Sequence, residues 1–176
     1  MARIPALLLT IATVFILSSC ATNRTVDNPR DKEAVAAAMY EKKSEFGEHY
    51  VLGPVIEGNF NGLLYSDIVS VQLMKTEKNR YYLRVHNWHS GNGWKFIESV
   101  TTLDGKTIRL ADLNRDVGGC SGLSCTYTEI GYAPLSKSQH LNGNNDLKVR
   151  INAKKWGTQV MLVPKQYIQA FIERAG

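Results

Sequence analysis

A two-residue rhythm of apolar side chains, repeated in short runs across residues 50–163, constrains this chain more than any other feature. Tyr81, Leu83 and Val85 alternate with Tyr82, Arg84 and His86. Val69, Val71 and Leu73 alternate with Ser70 and Gln72, and Leu147, Val149 and Ile151 with Lys148 and Arg150. Successive side chains of a strand point to opposite faces, so each run predicts a strand with one buried face. Turn residues punctuate the runs. Gly53-Pro54, Gly58-Asn59-Phe60-Asn61-Gly62, Ser90-Gly91-Asn92-Gly93 and residues 142–146 read as breaks. Asp104-Gly105, just before Ile108 and Leu110, carries a hairpin signal. Seven or more short antiparallel strands predict a mainly β, α+β chain: one antiparallel β-sandwich or curved sheet.

A helix is expected at each end. Asn28-Pro29 reads as an N-cap followed by proline at the first helical position. Asp31 and Glu33 suit the first turn, Lys42 and Lys43 the last, and Gly47 the stop. Val35, Ala36, Met39 and Tyr40 make its weak apolar stripe. At the other end Pro164 opens a helix with Tyr167, Ile168, Phe171 and Ile172 on one face. That helix is expected to cover a sheet face or an open end. A short helical turn falls within residues 134–141.

The N-terminus has a different character. Arg3 supplies one positive charge, residues 4–17 carry none, and Leu, Ile, Val, Phe and Ala dominate that run. A basic start and a short apolar middle form an export signal. The run is shorter than the roughly 20 residues of a bilayer-spanning helix. Directly after it stands Leu17-Ser18-Ser19-Cys20. One aliphatic residue, two small residues and a cysteine in that position resemble the lipobox of bacterial lipoproteins. The resemblance covers only about the first twenty residues. It implies that a diacylglycerol is attached to the sulfur of Cys20, that residues 1–19 are removed, and that the new amino group is acylated. Ala21, where an aspartate would retain the protein at the inner membrane, implies sorting to the outer membrane, with the body facing the periplasm. Two or more acyl chains anchor stably where one does not. Residues 20–27 are polar and without period, and read as a tether. Residues 28–176 then form one domain, long enough for a real core.

Cys120 and Cys125 remain, within a glycine-rich stretch that includes Gly118, Gly119 and Gly122. An exported chain meets an oxidising compartment, so a pair this close is expected to form a disulfide. The spacing is not Cys-x-x-Cys, and two thiolates lack the two further ligands of a zinc site. The whole chain carries 21 basic against 16 acidic side chains, a mild surplus without a dense basic block. Nucleic acid is therefore not an expected partner.

Candidate chemistry is sparse. His86 and His89 lie three apart, so a regular strand sends them to opposite faces, and no metal site is expected. Glu129 shares a face with Tyr127, and Arg115 and Asp116 lie beyond the cysteine stretch. If that stretch is a hairpin tip, these charges meet across the strands, as a structural ion pair more readily than as a perturbed site. No Gly-x-Ser-x-Gly and no phosphate-binding glycine loop occurs, so no catalytic residue and no cofactor is assigned. Arg80, Arg84, Lys148 and Arg150 occupy the outward phase of two strands. Were these strands neighbours, they would form a basic stripe, a solvated face or an anionic-ligand surface. The leading expectation is a lipid-anchored, non-enzymatic interaction or assembly module that partners the membrane and another envelope protein. Its rivals are a carrier or sensor holding a lipid, glycan or other anionic ligand, and an envelope hydrolase with dispersed residues.

Overall fold

The computed structural model describes residues 24–62, 65–122, 124–155 and 157–176. The element order is α1 (Lys32–Ala38), β1 (Tyr40–Lys43), β2 (His49–Leu52), β3 (Ile56–Gly62), β4 (Tyr65–Thr76), β5 (Tyr81–Gly91), β6 (Ile97–Thr102), β7 (Thr107–Arg109), β8 (Ala111–Ser121), β9 (Ser124–Leu135), α2 (Lys137–His140), β10 (Leu147–Ala153), β11 (Thr158–Val163) and α3 (Lys165–Ala175). The mainly β architecture with a helix near each end is thus present. It takes the form of two antiparallel sheets. One has seven strands, in the order β1-β2-β4-β5-β9-β8, with β3 also paired to β4; the other has four, in the order β11-β10-β6-β7.

β4, β5 and β9 are the long central strands. β5 pairs with β4 from Tyr81 opposite Lys75 to His89 opposite Asp67, and with β9 from Tyr81 opposite Leu135 to Gly91 opposite Cys125. Burial alternates along all of β5. Its inner face presents Leu83 and Val85 beside Val71, Leu73 and Ala133, and these pack on Val100, Val149, Ile151 and Val163 of the small sheet. Helix α3 completes this core with Tyr167, Ile168 and Phe171, all fully buried. Helix α1 lies on α3, adding Val35 and Met39 to the same cluster. Lys32 pairs with Glu173 at 2.6 Å, joining the two helices.

One close approach fixes the seam between α3 and the large sheet. The Tyr167 hydroxyl donates to the Pro54 carbonyl at 2.6 Å. A methyl group at Gly53 would lie 2.1 Å from that hydroxyl oxygen, so only glycine fits. Burial pushes the Tyr167 phenol well above its usual range, which keeps it protonated and a donor.

The ends of elements depart from the sequence expectation in several places. Asp31, not Asn28, caps α1, accepting from the backbone N–H groups of Glu33 and Ala34 at 3.0 Å. The helix stops at Ala38, and Tyr40, Lys42 and Lys43 form an edge strand against β2. Gly47 turns this hairpin, with φ at +86°. The Gly/Asn-rich stretch around residue 60 is strand β3 rather than a turn, and residues 111–119 form most of β8. The expected tether also ends early. The Val55 N–H donates to the Arg24 carbonyl at 2.7 Å, and Thr25 bridges Val55 in parallel, so the chain joins the fold at Arg24.

Candidate functional site

The outer face of the large sheet, turned away from the core, carries a concavity. From β5 it presents Tyr82, Arg84, His86 and Trp88, which are half-buried rather than exposed. Across the ladder Tyr82 faces Met74 of β4 and Pro134 of β9, and Arg84 faces Gln72 and Tyr132. Hairpin β1–β2 adds Tyr40 and Tyr50 on one side, and β8 adds Asp112 and Asn114 on the other. Strands at opposite edges of the sheet line one groove, so the sheet curls around it. The groove holds about 780 Å³, within the roughly 300–1,000 Å³ of small-molecule sites. A smaller hollow of about 340 Å³ adjoins it, sharing Arg80 and Tyr82 and reaching Pro134 and Lys137.

The groove floor is a hydrogen-bonded chain. Gln72, fully buried, donates from Nε2 to the Gly53 carbonyl at 2.6 Å and to the Tyr40 hydroxyl at 3.1 Å. Its Oε1 accepts from Arg84 Nη1 at 3.2 Å. That is the one side-chain hydrogen bond of Arg84 among the described residues, and no described carboxylate pairs with it. A guanidinium has five N–H donors. Arg84 therefore sits in the groove, whose lining also includes Glu45, Glu48, Glu77 and Asp112, with most of its donors unused and no described carboxylate within ion-pairing distance. His86, two residues along the same face, feels both burial and this charge, which hold its pKa below the usual histidine value. At the rim Tyr50 donates to Glu48, and this bond raises the tyrosine's pKa.

The inner face of the same strands ends in a buried polar cluster. Glu129 is inaccessible to solvent. Its carboxylate accepts from the backbone N–H groups of Lys95 and Phe96 at 3.0 Å, of Ile97 at 3.2 Å, and from Arg115 Nε at 3.0 Å. Lys95 Nζ in turn meets Asp67 at 2.6 Å. His89 donates from Nε2 to the Gly93 carbonyl at 2.9 Å, which leaves Nδ1 to accept from Asn87 at 3.0 Å. The bonds from Glu129 to residues 95–97, from Lys95 to Asp67 and from His89 to Gly93 tie the segment between β5 and β6 to the sheet, Arg115–Glu129 joins β8 to β9, and the carboxylate's acceptor sites are occupied by protein.

The residues singled out from sequence are distributed as follows. Cys20 lies outside the described residues. Cys120 and Cys125 are directly opposite in the β8–β9 hairpin, Cα atoms 4.0 Å apart, and form a disulfide at its tip. Arg115 does meet Glu129 across the strands, while Asp116 pairs with Thr128 on the opposite face. His86 faces outward and His89 inward, with no bulge in β5 between them. Among the described residues no cluster of three or more histidine, cysteine or carboxylate side chains could hold a metal. Arg80 and Arg84 border the groove, but Lys148 and Arg150 stand exposed on β10, in the other sheet. β5 and β10 are not neighbours, so the four do not make one stripe.

The groove itself was not assembled from the sequence, because its tyrosines come from four separate strands. One signal was available. The outward phase of β5 reads Tyr82, Arg84, His86, Trp88, and such bulky side chains are unlike the small polar residues of a plain solvent face. Comparison with protein families, with curated proteins and with solved structures finds no match for this chain.

Proposed function

We propose that the chain is a lipid-anchored, non-enzymatic binding module of the bacterial cell envelope, held at the outer membrane through Cys20 and facing the periplasm. The groove on the curled sheet carries the reading: a concavity of about 780 Å³ with an uncommitted guanidinium at its floor. Of the roles open to such a module, ligand recognition on the sheet face is favoured over assembly through a sheet edge. The groove gathers tyrosines, an amide and a guanidinium, a set suited to holding a ligand rather than to breaking bonds.

The start of the fold supports a close mooring. Only Ala21, Thr22 and Asn23 separate Cys20 from Arg24. Four Cα steps reach at most about 14 Å. Arg24 lies 5.7 Å over the ring of Tyr40, itself a groove residue. An anchor at Cys20 therefore holds this end of the groove close to the bilayer. Labelling cells with an alkyne fatty acid tests the anchor. Wild-type protein should take up label and lose its leader, and Cys20→Ala should do neither. A labelled and fully cleaved Cys20→Ala variant would end the proposal.

A further inference from the structure

We infer that the groove binds an acidic oligosaccharide, with Arg84 taking the carboxylate or phosphate and the tyrosines taking the sugar rings. The inference rests on the reading of the groove as a ligand site and names its ligand class. Three properties of the groove select that class.

The first is the charge. Arg84 gives one hydrogen bond to Gln72 at 3.2 Å and pairs with no described carboxylate. Its planar fork matches a carboxylate or phosphate bidentately, and partial shielding by neighbouring rings strengthens such a bond. Tyr132 stands opposite it and Tyr82 two residues away on the same face. Burial first, and then the Arg84 charge, lower the pKa of His86 on the same face.

The second is the mixture of ring and hydroxyl. Tyr40, Tyr50, Tyr82 and Tyr132 all line the groove. Each offers a π-face of negative potential, against which the polarised C–H groups of a pyranose pack, and a phenolic oxygen that both donates and accepts. Among the described residues the apolar lining is Leu52, Met74 and Phe46, and Phe46 stands 93% exposed in the β1–β2 loop. An acyl chain needs a continuous apolar wall, which the described lining does not supply.

The third is that the groove lies on a sheet face. The backbone groups of β4, β5 and β9 are spent in the ladder. An extended peptide would find no free main-chain donors or acceptors on that surface, whereas a sugar needs only side chains.

The test is calorimetric titration of the full lipidated chain in a polyoxyethylene detergent, which has no sugar headgroup to compete. The probes are hexagalacturonate, galacturonate 1-phosphate, maltohexaose and dodecyl phosphate. Hexagalacturonate should bind saturably, and maltohexaose at least tenfold more weakly. The sugar phosphate reads whether phosphate serves as well as carboxylate. Arg84→Gln and Tyr132→Ala should each weaken hexagalacturonate tenfold or more with unchanged far-ultraviolet circular dichroism, and Lys148→Gln on the other sheet should leave it unaltered. Equal affinity for maltohexaose, indifference to Arg84→Gln, preference for dodecyl phosphate, or failure of both acidic sugars to bind would each overturn the inference. A photocrosslinking residue placed at Tyr82 in living cells separates the two levels of failure. A specific protein adduct without saccharide binding would overturn the glycan class and leave the groove as the binding site. Absence of any adduct together with absence of titratable binding would remove both.

Discussion

Glu129 is the residue whose loss should be felt most. Its carboxylate holds three backbone N–H groups of residues 95–97 and Arg115 Nε, at 3.0 to 3.2 Å, with no solvent access of its own. In Glu129→Ala those three amides face a cavity. Lys95 and Ile97 are themselves buried, so water does not replace the lost acceptor. A buried donor left without a partner costs about 1–3 kcal/mol, and the low end for three gives about 3–4 kcal/mol. Arg115 is 30% exposed and regains water, so its loss adds at most about 1 kcal/mol. The total of about 3–5 kcal/mol approaches the whole stability of a marginal domain. Glu129→Gln is gentler but not silent. Its carbonyl can serve Lys95 and Phe96, yet its NH₂ then meets the Ile97 N–H and Arg115, two donors facing donors, for about 2–4 kcal/mol. Arg115→Met leaves the three amide bonds intact and should cost only about 1–2 kcal/mol. Urea unfolding of the full chain measures these differences, and hydrogen exchange at Lys95, Phe96 and Ile97 locates them. Protection retained at those amides, with a loss under about 1 kcal/mol in Glu129→Ala, would refute the reasoning.

Two further changes probe other joints of the fold. Gly53→Ala places a methyl 2.1 Å from the Tyr167 hydroxyl oxygen and 2.8 Å from its ring; overpacking and the broken bond to Pro54 should cost about 3 kcal/mol, and adding Tyr167→Phe should cost less than the sum of the two single changes in a double-mutant cycle. Asp146 caps α3 from outside, accepting from the Lys165 N–H at 2.8 Å and pairing with Arg30 at 3.2 Å, which holds its pKa below the usual carboxylate value. Its folded pKa is depressed, so its stabilisation is present above the unfolded value and disappears as pH falls through the folded one. Asp146→Asn should therefore lower stability at pH 7 and converge on wild type in thermal melts only as pH falls below the ordinary carboxylate range.

The parts of the fold legible from sequence are those where one face of an element is buried and the other is not. β5 and β10 alternate because the core lies on one side only, and α3 shows its stripe for the same reason. β8 gave no such signal because it is an edge strand exposed at every position, with Asp112 at φ +48° and register shifts after Ala111 and Val117. Nothing apolar was required of it, and Gly118 and Gly119 near its end read as part of a glycine-rich loop. β1 was read as the last turn of a helix because Tyr40 continues the stripe of Val35 and Met39. The backbone turns extended at Met39, with ψ of 147°, and the edge of β2 takes up the next four residues. Pairing with a neighbour distant in sequence overrode local preference there, as it did for the Gly/Asn stretch of β3 along β4.

The same logic explains why the disulfide and the ion pair could be anticipated and the groove could not. Cys120–Cys125 and Arg115–Glu129 each join partners across one hairpin, so a correct turn places them opposite one another. The groove depends on strand order. Tyr40, Tyr82 and Tyr132 come together only because β1, β2, β4, β5 and β9 lie side by side and the sheet curls. A two-residue period states which residues share a face but not which strands share a sheet. For that reason Lys148 and Arg150, identical in phase to Arg84, end on a different surface, exposed on β10. Arg84 is set apart by its neighbours. A buried glutamine takes one of its donors, Tyr132 stands opposite it on β9, and no described carboxylate lies within ion-pairing distance, so most of its donors are open to whatever enters.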